Sequence, residues 1–167
     1  DREKISLAEN PYPPAEVPDR YAMLDWPYVR SFQGVPESGP MPDQIARAAR
    51  HGYLACTSYV DALTGRLLSE LTRLGVRERT IVLFWSDHGY QLGEHGLWSK
   101  HTNFELATRV PLIISAPGGS IRARTDALVE LVDIYPTLCD MAGLPKPGHL
   151  HGRSFAEILS EPSRAFR

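Results

Sequence analysis

The chain has 167 residues, of which 43% are hydrophobic, and a formal net charge of -2. This length and composition suit one domain with a buried core, and the near-balanced charge gives no indication of a nucleic-acid partner. No apolar run approaches the roughly 18 residues of a transmembrane helix, so we expect no membrane span, and we recognise no signal peptide after Asp1. Cys56 and Cys139 lie far apart in two predicted helices, and we expect both to be buried free thiols.

Residues 1–42 are rich in proline and lack a regular pattern: Pro11, Pro13, Pro14, Pro18, Pro27, Pro36, Pro40 and Pro42. Aromatic side chains that can pack are spread through the segment: Tyr12, Tyr21, Trp26, Tyr28 and Phe32. We expect an irregular segment packed on a core and no independent domain, because a structureless stretch of this length rarely forms a compact fold. A proline-rich partner ligand would need regular polyproline spacing, which this segment lacks.

The segment from Asp43 to Leu74 shows the strongest helical pattern. Apolar residues recur there at steps of three and four and form a single stripe: Ile45, Ala49, Tyr53, Cys56, Val60, Leu63, Leu67, Leu71 and Leu74. We expect Asp43 to cap the start of the helix and Gly75 to end it. Asp61 and Arg66 lie off the stripe, where a solvated or locally paired side chain is the expected role.

A strand follows this helix almost at once. Ile81 to Trp85 shows no polar alternation, which is typical of a strand covered on both faces in a parallel sheet, and the helix with this strand is half of a β-α-β unit. Ligands bind beyond the carboxyl ends of such strands, where Asp87 and His88 stand. The two side chains can supply ligands to a divalent cation. An equally weighted alternative is that Asp87 opens the loop through a bond to backbone and His88 is a surface residue.

The loop after this strand contains three closely spaced glycines, Gly89, Gly93 and Gly96. Glycine allows the backbone to turn tightly and to approach a ligand closely, which favours a binding loop over a plain connector. Lys100 adds an ammonium group suited to a sulfate or phosphate oxygen, although a lone lysine is more often simply solvated.

After this loop, the sequence pattern predicts a second strand, a further short strand and a helix. Val110 to Ala116 is apolar and is closed by the turn sequence Pro117-Gly118-Gly119. Asp126 to Val129 predicts the short strand, and Leu131 to Met141 predicts the helix, which Gly143 ends.

Ser154 and Glu157 have the spacing of a capping box, which predicts a last helix near the end of the chain. His149 and His151 stand two residues apart just before it. Both could bind a metal ion, but the favoured interpretation is a turn in which the histidines have no functional role.

The segment around the first strand is similar to a known family. The residues that carry the resemblance are Ser86-Asp87-His88-Gly89, Leu92-Gly93-Glu94-His95-Gly96, Trp98, Lys100, Thr102-Asn103-Phe104-Glu105 and Arg109-Val110-Pro111-Leu112-Ile113. They resemble the C-terminal half of a sulfatase catalytic domain in the alkaline-phosphatase-like superfamily, and within it the iduronate-2-sulfatase branch in particular. Choline sulfatases and phosphonate monoester hydrolases share the Asp-His-Gly sequence. The resemblance extends from about Tyr53 to Phe155 and is looser before Tyr53.

The resemblance implies an α/β fold, namely part of an alkaline-phosphatase-like three-layer sandwich with a mainly parallel sheet flanked by helices. Residues 43–167 would be the C-terminal portion of the catalytic domain. Residues 1–42 would be the irregular proline-rich segment packed on its core.

The resemblance also implies roles for residues of the loop. Asp87 and His88 match the positions that coordinate an active-site divalent cation, usually Ca2+, although nitrogen is an unusual ligand for so hard a cation and leaves other metals open. Lys100 matches the catalytic lysine that holds a sulfate oxygen and offsets charge on the leaving group. The other loop residues are expected to bind substrate (His101, Trp98) or to shape the loop by hydrogen bonding (Glu94, His95).

The nucleophile of a sulfatase is a formylglycine made from Cys or Ser in a Cys/Ser-x-Pro-x-Arg motif. Cys56, in Tyr-Leu-Ala-Cys-Thr-Ser, and Cys139, in Thr-Leu-Cys-Asp-Met, lack the Pro and Arg of that motif. We therefore expect no nucleophile in this chain. The formylglycine, the paired aspartates that complete the metal site, and an upstream Lys and His are expected outside it, so that the chain alone is inactive.

Three functions stand open at this point. The first is hydrolysis of a sulfate ester of a sugar or uronic acid, with a sulfated carbohydrate and the remainder of the sulfatase domain as partners. The second is phosphonate monoester or phosphodiester hydrolysis within the same superfamily. The third is a noncatalytic module that binds an anion or a metal. The resemblance implies a secreted, periplasmic or lysosomal protein. The charge balance and the absence of a membrane-length apolar run predict no nucleic-acid or membrane partner.

Overall fold

The computed structural model of the chain describes residues 1–18, 29–98, 100–118 and 122–166. Its helices and strands follow in the order α1 (Asp43–Arg73), β1 (Val82–Trp85), α2 (Glu105–Thr108), β2 (Leu112–Ser115), α3 (Ile134–Ala142) and α4 (Ala156–Ser160). Two compact units contain them: unit 1 is Asp1–Val76 with Leu83–Ile113, and unit 2 is Arg77–Val82 with Ile114–Arg167. Within the described ranges, no helix is long and apolar enough to cross a membrane.

Helix α1 has nearly the predicted bounds. The predicted cap by Asp43 is wrong, because Pro42 occupies the N-cap position without a side-chain bond and Asp43 is the first helical residue. A carboxylate there still favours the helix through the helix dipole. Gly75 does end the helix, as predicted: it has a φ of 68°, and its amide donates to the Thr72 carbonyl oxygen at 3.0 Å. Glycine adopts this left-handed conformation without steric cost.

The apolar stripe of α1 is exposed. Of the helix residues, all of which the structure describes, only Ala46 is buried. Ile45 and Leu71 are half-buried. Five large side chains of the stripe are between 39% and 66% exposed: Tyr53, Val60, Leu63, Leu67 and, just beyond the helix, Leu74. Cys56 lies among them and is exposed, so the prediction of a buried thiol is wrong for Cys56 and right for Cys139. Both are free thiols, as expected.

The sheet consists of β1 and β2, which lie where the sequence predicts strands; β1 starts one residue later than predicted, and β2 is shorter at both ends. The strands run antiparallel, since the Ser86 amide after β1 donates to the Pro111 carbonyl oxygen before β2 at 3.3 Å. The described residues therefore do not form the mainly parallel sheet of the predicted sandwich. Nor is β1 covered on both faces: Phe84 and Trp85 are 41% and 44% exposed, because no covering layer occurs among the described residues.

Unit 2 contains α3 and α4. The predicted strand at 126–129 is wrong, because the described residues 122–130 form no strand and Leu128 is exposed. An apolar run without a neighbouring strand cannot form a ladder of hydrogen bonds. Helix α3 begins after a 3-10 turn at Leu131–Asp133 and ends at Gly143, which has a φ of 66°, as predicted.

The start of α4 is held by a buried polar pair that begins in the turn before α3. The Asp133 carboxylate accepts from the amides of Glu130 and Arg153 at 2.9 and 2.8 Å. The Thr137 hydroxyl donates to the Asp133 carbonyl oxygen at 2.6 Å and accepts from the Phe155 amide at 3.0 Å. Buried polar groups that are satisfied in this way fix the chain at one position.

The capping box predicted at Ser154 and Glu157 is wrong. Helix α4 begins at Ala156 with Phe155 at its N-cap, one residue later than the box requires. The Ser154 hydroxyl oxygen instead accepts a bond from the Ala156 amide at 3.3 Å. The Phe155 amide, next to Ser154, donates to the Thr137 hydroxyl oxygen of α3.

The described parts of the proline-rich segment, 1–18 and 29–42, are irregular apart from one 3-10 turn at Arg2–Lys4. Tyr12 and Phe32, which were expected to pack, are exposed. Three other aromatic residues expected to pack lie outside the described residues: Tyr21, Trp26 and Tyr28.

Candidate functional site

The candidate site lies on the loop between β1 and α2, in unit 1. Asp87 stands just after β1, with a side chain that is 74% exposed. Lys100 comes from the far end of the loop, and its Nζ lies 3.8 Å from Asp87 Oδ2. The structure thus brings together the carboxylate and the ammonium group that the sequence singled out. An exposed pair of this kind contributes little to stability. Its importance lies in the charged groups that it places at the candidate site.

Two histidines stand beside this pair. His88 Nδ1 lies 2.9 Å from the Gly89 carbonyl oxygen. When Nδ1 donates its proton to that oxygen, Nε2 keeps a lone pair for a metal ion or a proton. The His101 ring lies 6.2 Å from the His88 ring, between centroids, and His101 is exposed. His101 also has a φ of 73°, a left-handed conformation that is uncommon outside glycine.

Trp98 takes a different place from these residues. Its side chain is 4% exposed, and its ring would contact a Cβ atom at Gly93 at 3.0 Å. The Tyr90 hydroxyl donates to the Trp98 carbonyl oxygen at 3.3 Å. Trp98 therefore supports the loop from inside, and its burial argues against direct contact with a substrate.

At the loop glycines, other segments of the chain approach the backbone closely. From the sequence, we expected a ligand to approach there. A Cβ atom at Gly89 would lie 1.8 Å from the Leu106 carbonyl oxygen. Gly93 has a φ of 110°, and Gly96 has a φ of 75° with Pro13 at 3.3 Å from its Cβ position. The Gly89 contact is with backbone, so that position admits no side chain in this geometry.

A partly buried ion pair shapes the middle of the loop. Arg50 of α1 donates through Nη1 to Glu94 Oε1 at 3.0 Å and to the Leu92 carbonyl oxygen at 2.9 Å. Glu94 Oε2 accepts from the Leu92 amide at 2.6 Å. The prediction that Glu94 shapes the loop by hydrogen bonding is confirmed. The part played by Arg50 was missed, because its partners lie more than forty residues away.

His95 also shapes the loop, through backbone and ring contacts. Its amide donates to the Asn10 carbonyl oxygen at 2.7 Å. Its ring stacks on Phe104 with the centroids 4.1 Å apart. The first residues of the chain and the start of α2 thereby contact the same turn.

A second pair that the sequence did not reveal is fully buried. The Thr102 hydroxyl donates to Gln91 Oε1 at 3.1 Å. Gln91 Nε2 is buried and has no hydrogen-bond partner among the described residues. The sequence shows only that the Gln91 amide stands between an aromatic and an aliphatic residue, Tyr90 and Leu92, which does not identify its partner.

The donor set fits part of a metal site. Asp87 offers carboxylate oxygens and His88 a ring nitrogen, whereas divalent cations take four or more ligands in proteins. Where the structure describes the chain, no group of three or more His, Cys, Asp and Glu side chains is placed to hold a metal ion. His149 and His151 are both exposed and join no such group. Asp87 and His88 can therefore supply only part of a coordination shell.

Comparison of the sequence with known proteins gives a consistent result. The model of the family described as Sulfatase matches residues 9–144. Iduronate 2-sulfatase of Mus musculus is 36% identical over 87% of this chain, which corresponds to 32% of that relative. The chain thus spans about a third of the length of the curated relatives it matches.

Solved structures are similar as well. Phosphonate monoester hydrolase from Silicibacter pomeroyi superposes with a TM-score of 0.79 and 28% identity, covering 100% of this chain and 34% of its own. A protein solved in complex with its substrate D-glucosamine-2-N,6-O-disulfate superposes with a TM-score of 0.66 and 32% identity. That match covers 74% of this chain and 25% of the other.

One stretch contradicts the expectation that the chain lacks the nucleophile motif. Ser160-Glu161-Pro162-Ser163-Arg164 has the letters of Cys/Ser-x-Pro-x-Arg, but it lies beyond residue 144, where the family match ends. The Ser160 hydroxyl donates to the Glu157 carbonyl oxygen at 3.0 Å, and the Arg164 guanidinium pairs with the Glu157 carboxylate at 2.7 Å. These contacts close α4, so Ser160 has a structural place, and we still expect the nucleophile elsewhere.

Proposed function

The chain belongs to the sulfatase family, and on that premise we propose that it forms part of a hydrolase that cleaves sulfate esters of a sugar or uronic acid. The observation that carries the proposal is the meeting of Lys100 with Asp87, whose charged atoms lie 3.8 Å apart. A cation beside candidate metal ligands suits an ester that carries negative charge. The relatives named iduronate 2-sulfatase and the neighbour solved with a disulfated glucosamine support a sulfated carbohydrate as the substrate.

Each residue of the loop has a part in this proposal. Asp87 and His88 would hold one side of a divalent cation, for which Ca2+ is the first candidate, and the bound ion would supply positive charge to polarise the sulfate group. Lys100 is the catalytic cation of this chain: its ammonium contacts a sulfate oxygen and offsets the charge that develops as the ester bond breaks. His101 binds the sugar. For Trp98, which is buried, we propose support of the loop from inside.

The rest of the site is proposed to lie in the remainder of the parent protein, since this chain spans about a third of its relatives. It comprises the formylglycine nucleophile and further acidic metal ligands. Residues 43–167 then belong to an alkaline-phosphatase-like three-layer sandwich with a mainly parallel sheet, and residues 1–42 to an irregular segment packed on it. The proposed location is secreted, periplasmic or lysosomal, and a relative named extracellular sulfatase, in Drosophila melanogaster, supports the secreted one.

The test uses the complete protein and a sulfated monosaccharide. Lys100→Ala is expected to lower kcat by about a hundredfold or more, because an electrostatic contact to the reacting group is lost, with little change in the unfolding midpoint. Lys146→Ala is the matched control, since Lys146 pairs with Asp140 in unit 2 and should retain kcat. Absence of sulfate ester hydrolysis by the complete protein, or a wild-type rate for Lys100→Ala, would overturn the proposal.

Phosphonate monoester or phosphodiester hydrolysis is the second candidate function. It is favoured by the TM-score of 0.79 with a phosphonate monoester hydrolase over the whole of this chain. The nitrogen ligand of His88 also suits transition metals better than calcium. A higher kcat/KM of the complete protein for a phosphonate monoester than for a sulfate ester would establish this candidate in place of the first.

A noncatalytic module that binds an anion or a metal is the third candidate. With two ligands from Asp87 and His88, the chain alone should bind Ca2+ weakly. Tight binding of Ca2+ by the chain alone, measured by calorimetry, would favour this candidate and contradict the view that the metal site is incomplete.

A further inference from the structure

One buried hydrogen bond joins the two halves of the loop that carries the candidate site. Gln91 lies three residues after His88, and Thr102 directly follows Lys100 and His101. The Thr102 hydroxyl donates to Gln91 Oε1 at 3.1 Å, and the two side chains are 4% and 0% exposed. The bond therefore ties the half with the metal-ligand candidates to the half with the ammonium group.

The backbone just before Thr102 needs such an anchor. His101 has a φ of 73°, which is unfavourable for any residue with a Cβ atom and persists only where the surroundings fix the chain. Lys100, one residue earlier, has a long and flexible side chain whose direction depends on where its backbone is held. Thr102 is buried, whereas His101 beside it is exposed. The anchored residue thus follows directly on the two residues to which the proposed function assigns contact with the substrate.

Stability alone does not explain why a glutamine occupies the buried position 91. Its Nε2 is buried and has no hydrogen-bond partner among the described residues. An unsatisfied buried donor costs free energy, and replacing both members of a buried polar pair by apolar groups of the same shape can be neutral or stabilising. A polar pair kept at a cost in stability is typical of a position where geometry matters for function.

Resting on the proposed function, we propose that Gln91 and Thr102 are positioning residues for hydrolysis of the anionic ester. Their bond holds the backbone of residues 100–102 so that the Lys100 ammonium stays beside Asp87. Neither side chain touches the substrate. Because a small displacement of a group that acts on the transition state costs much of its effect, the pair acts on kcat through Lys100.

The experiment compares three variants of the complete protein with a sulfated monosaccharide as substrate. The double variant Gln91→Met with Thr102→Val removes both partners while keeping their shape. We expect its unfolding midpoint to equal or exceed that of the wild type, and its kcat to fall about tenfold or more while KM changes less. Thr102→Ser retains the hydroxyl and should keep kcat within about twofold of the wild type. Lys100→Ala, measured alongside, reports on the proposed function separately.

The outcomes separate the two proposals. A double variant with wild-type kcat, in a protein that Lys100→Ala inactivates, overturns the positioning role and leaves the proposed function intact. A double variant that loses stability together with kcat makes the pair structural and also overturns the positioning role. If Lys100→Ala has no effect on hydrolysis, the proposed function fails first and the positioning role fails with it.

Discussion

Replacing Gly89 with alanine is expected to destabilise the loop that carries Asp87 and His88. A Cβ atom at residue 89 would lie 1.8 Å from the Leu106 carbonyl oxygen and 2.9 Å from the Ala107 Cα atom. Both are backbone atoms at α2, so no side chain can rotate away to make room. The two backbone segments must therefore separate.

The size of the effect follows from that separation. Cβ contacts below 3.0 Å are essentially absent from real proteins, so the segments must part by about 1.2 Å. This movement breaks the bond from the Gly89 amide to the Ala107 carbonyl oxygen, now 2.8 Å long. Overpacking costs about 1–3 kcal/mol and the lost bond about 1 kcal/mol. We expect the free energy of unfolding to fall by about 2–4 kcal/mol.

Denaturant titration of the complete protein measures this loss. The matched control is Gly65→Ala inside α1, where a Cβ atom meets nothing within 4 Å and alanine should raise stability by about 0.5–1 kcal/mol. In the same Gly89→Ala protein, kcat/KM should fall by up to about a hundredfold, because the ligand residues next to Gly89 move. A Gly89→Ala protein with wild-type unfolding and wild-type kcat/KM would refute the reasoning.

Three further predictions concern other contacts. Arg50→Met should lower the free energy of unfolding by about 1–3 kcal/mol, since it leaves a partly buried carboxylate unpaired; denaturant titration measures this. The Ser154 hydroxyl and the Lys146 ammonium hold the pKa of Asp140 below its ordinary value, so Lys146→Met should raise that pKa in an NMR titration. The stabilising contribution of Asp140 should then be present above its unfolded pKa and be lost as pH falls through its folded pKa. The peptide that contains Ser160 should have the mass of unmodified serine.

The outcomes that contradict these predictions are equally specific. Arg66 is exposed on the same helix as Arg50, so Arg66→Met is the control, and equal stability of the two variants would remove the role of the ion pair. An unchanged Asp140 pKa in Lys146→Met would exclude the ammonium as a cause. A Ser160 peptide lighter by two hydrogen atoms would reveal a formylglycine there and would place the nucleophile in this chain.

The local pattern of the sequence was sufficient for the longest helix and both strands. The recurrence of apolar residues over 43–74 and the left-handed glycine after it act within a few residues, and α1 ends where they indicate. The apolar run of β1 and the helical position of Cys56 also predicted burial, which the structure does not show for Trp85 or Cys56. Periodicity identifies the face of an element that prefers apolar contact, but contact itself depends on which neighbours are present. The run at 126–129 failed as a strand for the same reason.

The sequence predicted the parts of the site whose residues are neighbours in sequence. It did not predict contacts between residues that are distant in sequence. Asp87 and His88 follow a strand, and their place at its end could be derived from that alone. The bond between Gln91 and Thr102, and the ion pair of Arg50, join positions that no local rule connects. Long-range polar pairs depend on the folded path of the chain, so they became visible only in the structure.

The open stripe of α1 has a practical consequence for work on the chain by itself. From Tyr53 to Leu74 it forms a ridge about 30 Å long at the rise of an α-helix, comparable to the width of a small domain. Exposed apolar surface of this extent promotes association in water. A preparation of the isolated chain should therefore elute as oligomers or aggregate as its concentration rises.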